Sequence, residues 1–183
     1  MDLNAFVCKV WQGVASRVRQ VALRAVGMDI KGHCWIQGIE WPLRPRCIQL
    51  CAGAMLDRRV VLLATADEAR IVIGARSYLN RDVMIDASAS VEIGPDVMIG
   101  PGCYLTDHDH VFNATGAPGS LPLVSAPTRI GARCWLGAHV TVLKGVTIGD
   151  ATVVGAGSVV AKSLPAGVIA VGNPARVLRQ IAS

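Results

Sequence analysis

Aliphatic residues recur at every sixth position over most of this chain, and this spacing constrains the fold more than any other feature. In the longest unbroken series, six such residues follow one another from Ile130 to Val160. An α-helix would spread residues six apart around its whole circumference, whereas a short strand followed by a turn would keep them on one side. The spacing therefore predicts a chain that bends every six residues. The residues that obey it are Ile73, Leu79, Ile85, Ile93, Ile99, Leu105, Ile130, Leu136, Val142, Ile148, Val154 and Val160.

Interruptions of the series indicate how many bends form one coil. The period breaks after Ile85 and again after Leu105, each time after a group of three aliphatic residues. Three bends therefore make one coil of about 18 residues, and such coils become stable by stacking with parallel backbone pairing. A weaker group of three precedes them, and Ile30 and Ile36 fit the same spacing further upstream. We expect a mainly β, parallel β-helix of about five to six coils. The weaker group is Leu50, Leu56 and Leu62.

Composition agrees with a narrow aliphatic core and excludes several other classes of protein. The chain is 52% hydrophobic but only 4% aromatic, and none of its apolar runs approaches the roughly 20 residues of a membrane-spanning helix. Residues 1–66 carry nine basic and four acidic side chains, and residues 67–183 carry nine of each, so the net charge of +5 is N-terminal. No basic stripe is interleaved with aromatic residues, so we expect no nucleic-acid partner.

Six cysteines occur without the features of a secretory signal at the N-terminus, which indicates free thiols in the cytoplasm. Cys103 and Cys134 stand two positions before Leu105 and Leu136, where the other coils have small or branched residues. Cys34 stands in the same way before Ile36. We expect these three thiols to fill the core and not to act as nucleophiles.

The pattern divides the chain into a helix, a β-helix and a tail. Residues 1–27 contain an amphipathic helix over 4–26, with apolar residues at steps of three and four and basic residues elsewhere. It either caps the open end of the β-helix or attaches transiently to an anionic membrane at the inner face. Residues 28–172 form the β-helix with an extruded loop at 107–128, and 173–183 form a tail with a short helix over 175–181. The apolar residues of the N-terminal helix are Phe6, Val10, Val14, Val18 and Val21.

Three closing motifs give the repeat a family likeness. They are CWLGA at residues 134–138, GAGS at 155–158 and GNPAR at 172–176. In order and spacing they resemble the hexapeptide-repeat acetyltransferases, most closely the galactoside/maltose enzymes and the O-acetyltransferases of polysaccharide biosynthesis. The resemblance implies a left-handed parallel β-helix and a homotrimer. It also implies acetyl-CoA as co-substrate, no metal, and direct transfer of acetyl to a hydroxyl of a sugar or glycoconjugate.

The candidate catalytic base lies in the sequence TDHDH at residues 106–110, where the extruded loop begins. Imidazole suits proton abstraction from a hydroxyl because its unperturbed pKa of about 6.5 is close to working pH. The resemblance implies His108 as this base, with His110 as the second choice and an acceptor contact. Asn80 matches a family position that meets the acceptor sugar, and Asp86 is a weaker candidate. Whether an aspartate or a backbone carbonyl orients His108 stays open.

Acetyl-CoA binding is assigned by the same resemblance. Backbone groups near Ala138 and Ala156 would meet the pantetheine arm, because small residues let an extended amide chain approach the coil. Lys162, Arg176 and Arg179 would approach the nucleotide phosphates, because cations pair with phosphate.

Other functions remain open on the sequence alone. A γ-carbonic-anhydrase-like protein would gather His108, His110 and His139 around zinc at a trimer interface, although their order and context differ from that family. A non-catalytic β-helix scaffold would share the repeat. Among enzymes, an antibiotic acetyltransferase is the nearest alternative.

Overall fold

Short strands and tight turns follow one N-terminal α-helix in the computed structural model, which describes residues 3–112 and 116–181. Helix α1 is Leu3–Ala25. The first four coils contain β1 (Asp29–Ile30), β2 (Trp35–Ile36), β3 (Ile48–Leu50), β4 (Met55–Leu56), β5 (Val61–Ala64), β6 (Arg70–Ile73), β7 (Tyr78–Leu79), β8 (Met84–Ala87), β9 (Ser90–Ile93), β10 (Met98–Ile99) and β11 (Tyr104–Thr106). A hairpin of β12 (His108–His110) and β13 (Leu123–Ser125) then leaves the solenoid. The later strands are β14 (Thr128–Ile130), β15 (Trp135–Leu136), β16 (Thr141–Val142), β17 (Thr147–Ile148), β18 (Val153–Val154), β19 (Val159–Val160), β20 (Val168–Gly172) and β21 (Ala175–Gln180).

Three sheets form the solenoid, and each complete coil from β3 to β19 adds one strand to each sheet in turn. The first coil adds β1 and β2 to the first two sheets, and the third sheet begins at β5. Their orders are β1-β3-β6-β9-β14-β17, β2-β4-β7-β10-β15-β18-β20-β21 and β5-β8-β11-β16-β19. All neighbours in these sheets pair in parallel except β20 and β21. The second sheet holds seven parallel strands, so the predicted parallel β-helix is confirmed with about seven turns. The coil that begins at Ile30 is present, and β20 adds a last partial turn beyond the five to six expected.

The C-terminal expectation was wrong. The sequence predicts a short helix over 175–181, but residues Ala175–Gln180 form β21, which pairs antiparallel with β20. The last coil leaves a strand edge with unpaired backbone groups, and a returning strand satisfies them where a helix could not.

The six-residue period is the core of the protein. All twelve aliphatic residues of the series are at most 2% exposed, and they stack in columns because each coil repeats the register of the one before. Cys34, Cys103 and Cys134 are buried as expected, and burial raises the pKa of each thiol. Glycine is required at Gly100, where a Cβ would lie 2.7 Å from the backbone nitrogen of Ala138 in the next coil.

Helix α1 covers the first coil with its polar face. Gln20 Nε2 donates to the carbonyl of Cys34 at 2.7 Å, and the N–H of Cys34 donates to Gln20 Oε1 at 3.0 Å. Ser16 Oγ accepts the N–H of Ile36 at 2.8 Å. The N-terminal helix is therefore confirmed and it caps the coil edge. In the described part of the chain, no helix is both long and apolar enough to cross a membrane.

Candidate functional site

His108 lies where the chain leaves the solenoid. Strand β11 ends at Thr106, and His108 begins β12, in which it pairs antiparallel with Ser125 of β13. Its side chain is only 10% exposed. The extruded loop predicted at 107–128 thus contains a hairpin, and the hairpin holds the imidazole against the coil. Residues 113–115 of that loop lie outside the described residues.

Asp107 fixes the imidazole of His108. Its carboxylate is fully buried, and it accepts the backbone N–H groups of Ser88 at 2.8 Å and Ala89 at 2.7 Å. Nδ1 of His108 lies 2.9 Å from Oδ1 of Asp107. A carboxylate that already accepts two N–H groups acts as an acceptor, so Nδ1 carries the hydrogen and Nε2 keeps its lone pair. The question of which group orients His108 is answered by the carboxylate of Asp107, which caps the turn at Ser88 as well.

Asp86 faces the other ring nitrogen. Its Oδ1 lies 3.8 Å from Nε2 of His108, and its side chain is 13% exposed. The phenol of Tyr104 donates to Oδ2 at 3.2 Å, and burial raises the pKa of Tyr104, which keeps this donor protonated. Oδ1 of Asp86 is buried and has no hydrogen-bond partner among the described residues. A buried carboxylate oxygen of this kind is costly unless a donor reaches it.

His110 is placed differently from His108. It lies at the end of β12 and is exposed, opposite Leu123 of the hairpin. Between the two histidines, Asp109 points outward and its Oδ1 lies 2.6 Å from Nζ of Lys144. The hairpin therefore places His108 against the coil with little exposure and turns His110 to solvent.

Asn80 lies at the coil corner between β7 and β8, whereas Asp86 lies within β8. Its Oδ1 accepts the backbone N–H of Arg81 at 2.8 Å, so the side chain caps its own turn. It is half-buried. The structure thus brings Asp86 to His108 and leaves Asn80 one corner earlier in the coil.

The residues assigned to acetyl-CoA lie in the last coils. Ala138 and Ala156 follow β15 and β18, which pair in register, so the two alanines are neighbours in one column. Lys162 is exposed after β19. Arg176 and Arg179 lie on β21, which adjoins β20 at the end of the same sheet. All five therefore fall within the C-terminal part of the solenoid.

The three histidines of the zinc alternative do not meet within one chain. His139 lies at a coil corner with a φ of 56°, whereas His108 and His110 belong to the hairpin. Within residues 3–112 and 116–181, no group of three or more His, Cys, Asp or Glu side chains is arranged to hold a metal ion.

Two contributions to this site go beyond the sequence prediction. They are the hydrogen bond between His108 and Asp107, where the sequence left the orienting group open, and the phenol of Tyr104 on Asp86. The spacing does predict the place of Asp86. Ile85 and Leu105 belong to one column, so the residues that follow them, Asp86 and Thr106, pair as well. That register places Asp86 beside the start of the loop.

A family model described as bacterial transferase hexapeptide (six repeats) matches residues 127–162. WcaF of Escherichia coli, provisionally named a colanic acid biosynthesis acetyltransferase, is 37% identical over 133 residues, which cover 70% of this chain and 70% of WcaF. Galactoside O-acetyltransferase of Escherichia coli is 41% identical over 112 residues, which cover 61% of this chain and 54% of that enzyme. The chain thus spans little more than half the length of some curated relatives.

Solved structures agree with these relatives. A hexapeptide-repeat acetyltransferase of Vibrio cholerae, crystallised with acetyl-CoA, is 27% identical to this chain and superimposes with a TM-score of 0.63. The match covers 72% of this chain and 73% of that protein. The solenoid described above is therefore similar to one that carries acetyl-CoA in a crystal.

Proposed function

The chain belongs to the bacterial hexapeptide transferase family, and from this premise we propose that it transfers acetyl from acetyl-CoA to a hydroxyl of a sugar or glycoconjugate. The observation that carries the proposal is the pairing of His108 with a buried carboxylate on one side and an unpartnered carboxylate oxygen on the other. The acetyl-CoA in the Vibrio relative and the sugar named in the galactoside enzyme support the two substrates.

His108 is the general base of this reaction. Asp107 holds the hydrogen on Nδ1, so the lone pair of Nε2 is free to take the proton of the acceptor hydroxyl as its oxygen attacks the thioester carbonyl. The C–S bond then breaks, and the proton on Nε2 goes to the leaving thiolate of CoA. Asp107 stabilises the imidazolium between these two steps without touching either substrate. Transfer is direct, without an acyl-enzyme.

Asp86 binds the acceptor beside the base. Its free Oδ1 and Nε2 of His108 are both acceptors of hydrogen bonds and lie 3.8 Å apart. Two hydroxyl groups on adjacent carbons of a sugar can donate to both at once, one to each. The half-buried Asn80 and the exposed His110 then contact more distant parts of the acceptor.

Acetyl-CoA lies along the C-terminal coils in this proposal. The column of Ala138 and Ala156 offers backbone groups and little side-chain bulk to the pantetheine arm. Lys162, Arg176 and Arg179 meet the phosphates. Three copies of the chain assemble as a trimer, with each CoA in a groove between neighbouring solenoids, and the enzyme works in the cytoplasm.

Replacement of His108 tests the proposal, and His110 provides a matched control two residues away. Purified His108→Ala and His110→Ala proteins are incubated with acetyl-CoA and a panel of glycans, and the products are searched by mass spectrometry for the gain of one acetyl group. We expect His108→Ala to lose at least about a hundredfold in kcat, which is the usual contribution of a general base. His110→Ala should keep kcat near that of wild type and raise only KM for the acceptor, because His110 contacts a distant part of the acceptor in this proposal. Equal rates in wild type and His108→Ala would refute the proposed base.

A metal analysis of the same wild-type protein separates this proposal from the zinc alternative. Zinc in a stoichiometric amount, together with carbon dioxide hydration that a chelator abolishes, would contradict acetyl transfer by a metal-free base. Acetylation that survives the chelator supports it.

A further inference from the structure

The two faces of α1 are unlike, and the apolar face is turned away from the protein. Ser16, Gln20 and Leu23 are buried against the first coil. On the opposite face, five large apolar side chains at steps of one to four residues are between 49% and 70% exposed. The helix packs on β1 and β2, and these strands pair on their other side with the next coil. The exposed stripe therefore points outward from the end of the solenoid. Its residues are Val10, Trp11, Val14, Val18 and Val21.

Exposure of this kind is unusual for a helix that is already well held. The helix needs only its polar face to stay in place, because Ser16 and Gln20 make the hydrogen bonds to the coil. Val18 and Val21 nevertheless remain 64% and 67% exposed. A continuous exposed apolar stripe marks a surface that is covered by something else.

Positive charge borders the stripe on both sides. The 23 residues of α1 include no aspartate or glutamate. At 100° per residue, Arg17 and Arg24 fall on one side of the stripe and Arg19 on the other. Two of these arginines have fixed positions, because Arg24 donates to the carbonyls of Ile30 and Gly32 and Arg19 donates to that of Ile36. Hydrogen bonds to the first coil therefore hold Arg19 and Arg24 in place beside the stripe.

A groove on the Arg19 side extends this basic rim. It has a volume of about 460 Å³ and lies between α1 and the corner of the second coil. Trp11, Arg19 and Arg58 are among its lining residues, and so is Arg59, which is paired with Asp82 at 2.6 Å. An aromatic ring between apolar residues and guanidinium groups is the arrangement found at the boundary between lipid chains and headgroups.

We propose that the outer face of α1 docks on an anionic membrane surface. The valines enter the boundary between headgroups and acyl chains, and the arginines on both sides pair with headgroup phosphates. A second copy of this chain fits less well, because the same face on two molecules would bring basic rims together. The proposal depends on no residue of the active site, so it stands apart from the proposed acetyl transfer.

Vesicle binding by the full chain tests this docking. Wild type is sedimented with vesicles of phosphatidylcholine alone and with vesicles that also contain phosphatidylglycerol. We expect sedimentation with the anionic vesicles and a strong decrease at high salt. Val18→Glu should abolish it, because a carboxylate then faces the headgroups and lipid chains. Leu43→Glu is the matched control, since Leu43 is 74% exposed but lies outside the helix, and it should bind as wild type does.

A second variant isolates the charge. Arg17→Gln removes one exposed cation beside the stripe, and the partition coefficient on anionic vesicles should fall about fivefold, the usual effect of one basic residue near such a surface. Circular dichroism confirms that each variant is folded, and Val21→Glu replaces Val18→Glu if that protein does not fold.

Three results would overturn the proposal. One is the absence of wild-type sedimentation with either kind of vesicle. Another is equal binding by wild type, Val18→Glu and Val21→Glu. The third is a change of oligomeric mass in Val18→Glu with vesicle binding unchanged, which would make the stripe an interface between copies.

Discussion

Replacement of the buried Asp107 by asparagine separates the structural and the chemical roles of its carboxylate. The carboxylate accepts three hydrogens, from the backbones of Ser88 and Ala89 and from Nδ1 of His108. The asparagine oxygen can stand in place of Oδ1, where it accepts from Ser88 and His108 while its NH₂ meets the N–H of Ala89. Rotated by half a turn, the NH₂ would face the N–H of Ser88 and donate to Nδ1 of the other imidazole tautomer. Each orientation leaves one buried N–H without an acceptor, and only the first keeps the hydrogen on Nδ1 and the lone pair on Nε2.

The cost to stability follows from these contacts. One buried N–H, that of Ala89, loses its partner at about 1–3 kcal/mol, and the two remaining hydrogen bonds lose the benefit of charge at about 1 kcal/mol each. Removal of a buried charge offsets part of this sum. We expect Asp107→Asn to lower the free energy of unfolding by about 2–4 kcal/mol. A domain of ordinary stability, about 5–15 kcal/mol, remains folded after such a loss.

The rate should fall for a different reason. In the variant, the negative charge beside Nδ1 is lost, and of the two carboxylates only that of Asp86, 3.8 Å from Nε2, faces the imidazolium that forms when His108 takes the hydroxyl proton. A loss of about 1.4 kcal/mol in this attraction would lower kcat about tenfold, and any molecules in which the rotated amide holds the other tautomer lower it further. KM for acetyl-CoA should not change, because Asp107 contacts neither substrate.

Urea unfolding and release of CoA thiol measure the two effects on the same protein samples. Asp109→Asn is the matched control, because its exposed pair with Lys144 contributes at most about 1 kcal/mol. The reasoning is wrong if Asp109→Asn loses as much stability as Asp107→Asn. A fully folded Asp107→Asn protein with the kcat of wild type would show that this carboxylate only caps the turn.

Three further predictions concern the solenoid. Gly100→Ala should destabilise the fold by at least about 1 kcal/mol, the least that overpacking usually costs, because the added Cβ would lie 2.7 Å from the backbone of the next coil. Gly119→Ala is the control, since no atom lies within 4 Å of its added Cβ, and it should leave thermal unfolding unchanged. Gln20→Leu leaves the N–H and carbonyl of Cys34 without partners, and we expect a loss of about 2–6 kcal/mol in urea unfolding. Burial raises the pKa of the Cys103 thiol. The stability that this thiol contributes is therefore complete below about pH 8.5 and declines at higher pH, where the same thiol ionises in the unfolded chain. Cys103→Val should make the decline of stability at alkaline pH shallower.

The period alone was sufficient for the core because one rule covers every coil. Each coil buries the residue at the same place, so twelve positions could be assigned from spacing. The C-terminal strand could not be assigned in this way. Residues of β21 carry no six-residue period, and they form a strand because β20 offers them an open edge. That edge is a property of the folded solenoid and is not encoded locally.

Some contacts of the candidate site could likewise be predicted from the sequence, and others could not. His108 was predicted from its motif, and the neighbourhood of Asp86 follows from the register of β8 and β11. The contact between Asp107 and the turn at Ser88 joins residues in different coils at a place where the chain leaves the repeat. The six-residue period does not predict what the chain does where it leaves the repeat. The three hydrogen bonds that the Asp107 carboxylate accepts therefore appear only in the folded structure.

Helix α1 shows why a predicted amphipathic helix does not reveal which face is turned inward. Turning the valine stripe inward would bury the exposed part of four valines, about half of each side chain, for a gain of about 1 kcal/mol per residue. It would also remove the partners of three backbone groups of Cys34 and Ile36, at about 1–3 kcal/mol each. The carbonyls held by Arg19 and Arg24 would add to that loss. An open coil edge therefore selects the polar face, and the valines gain their own burial only when an apolar surface covers the end of the solenoid.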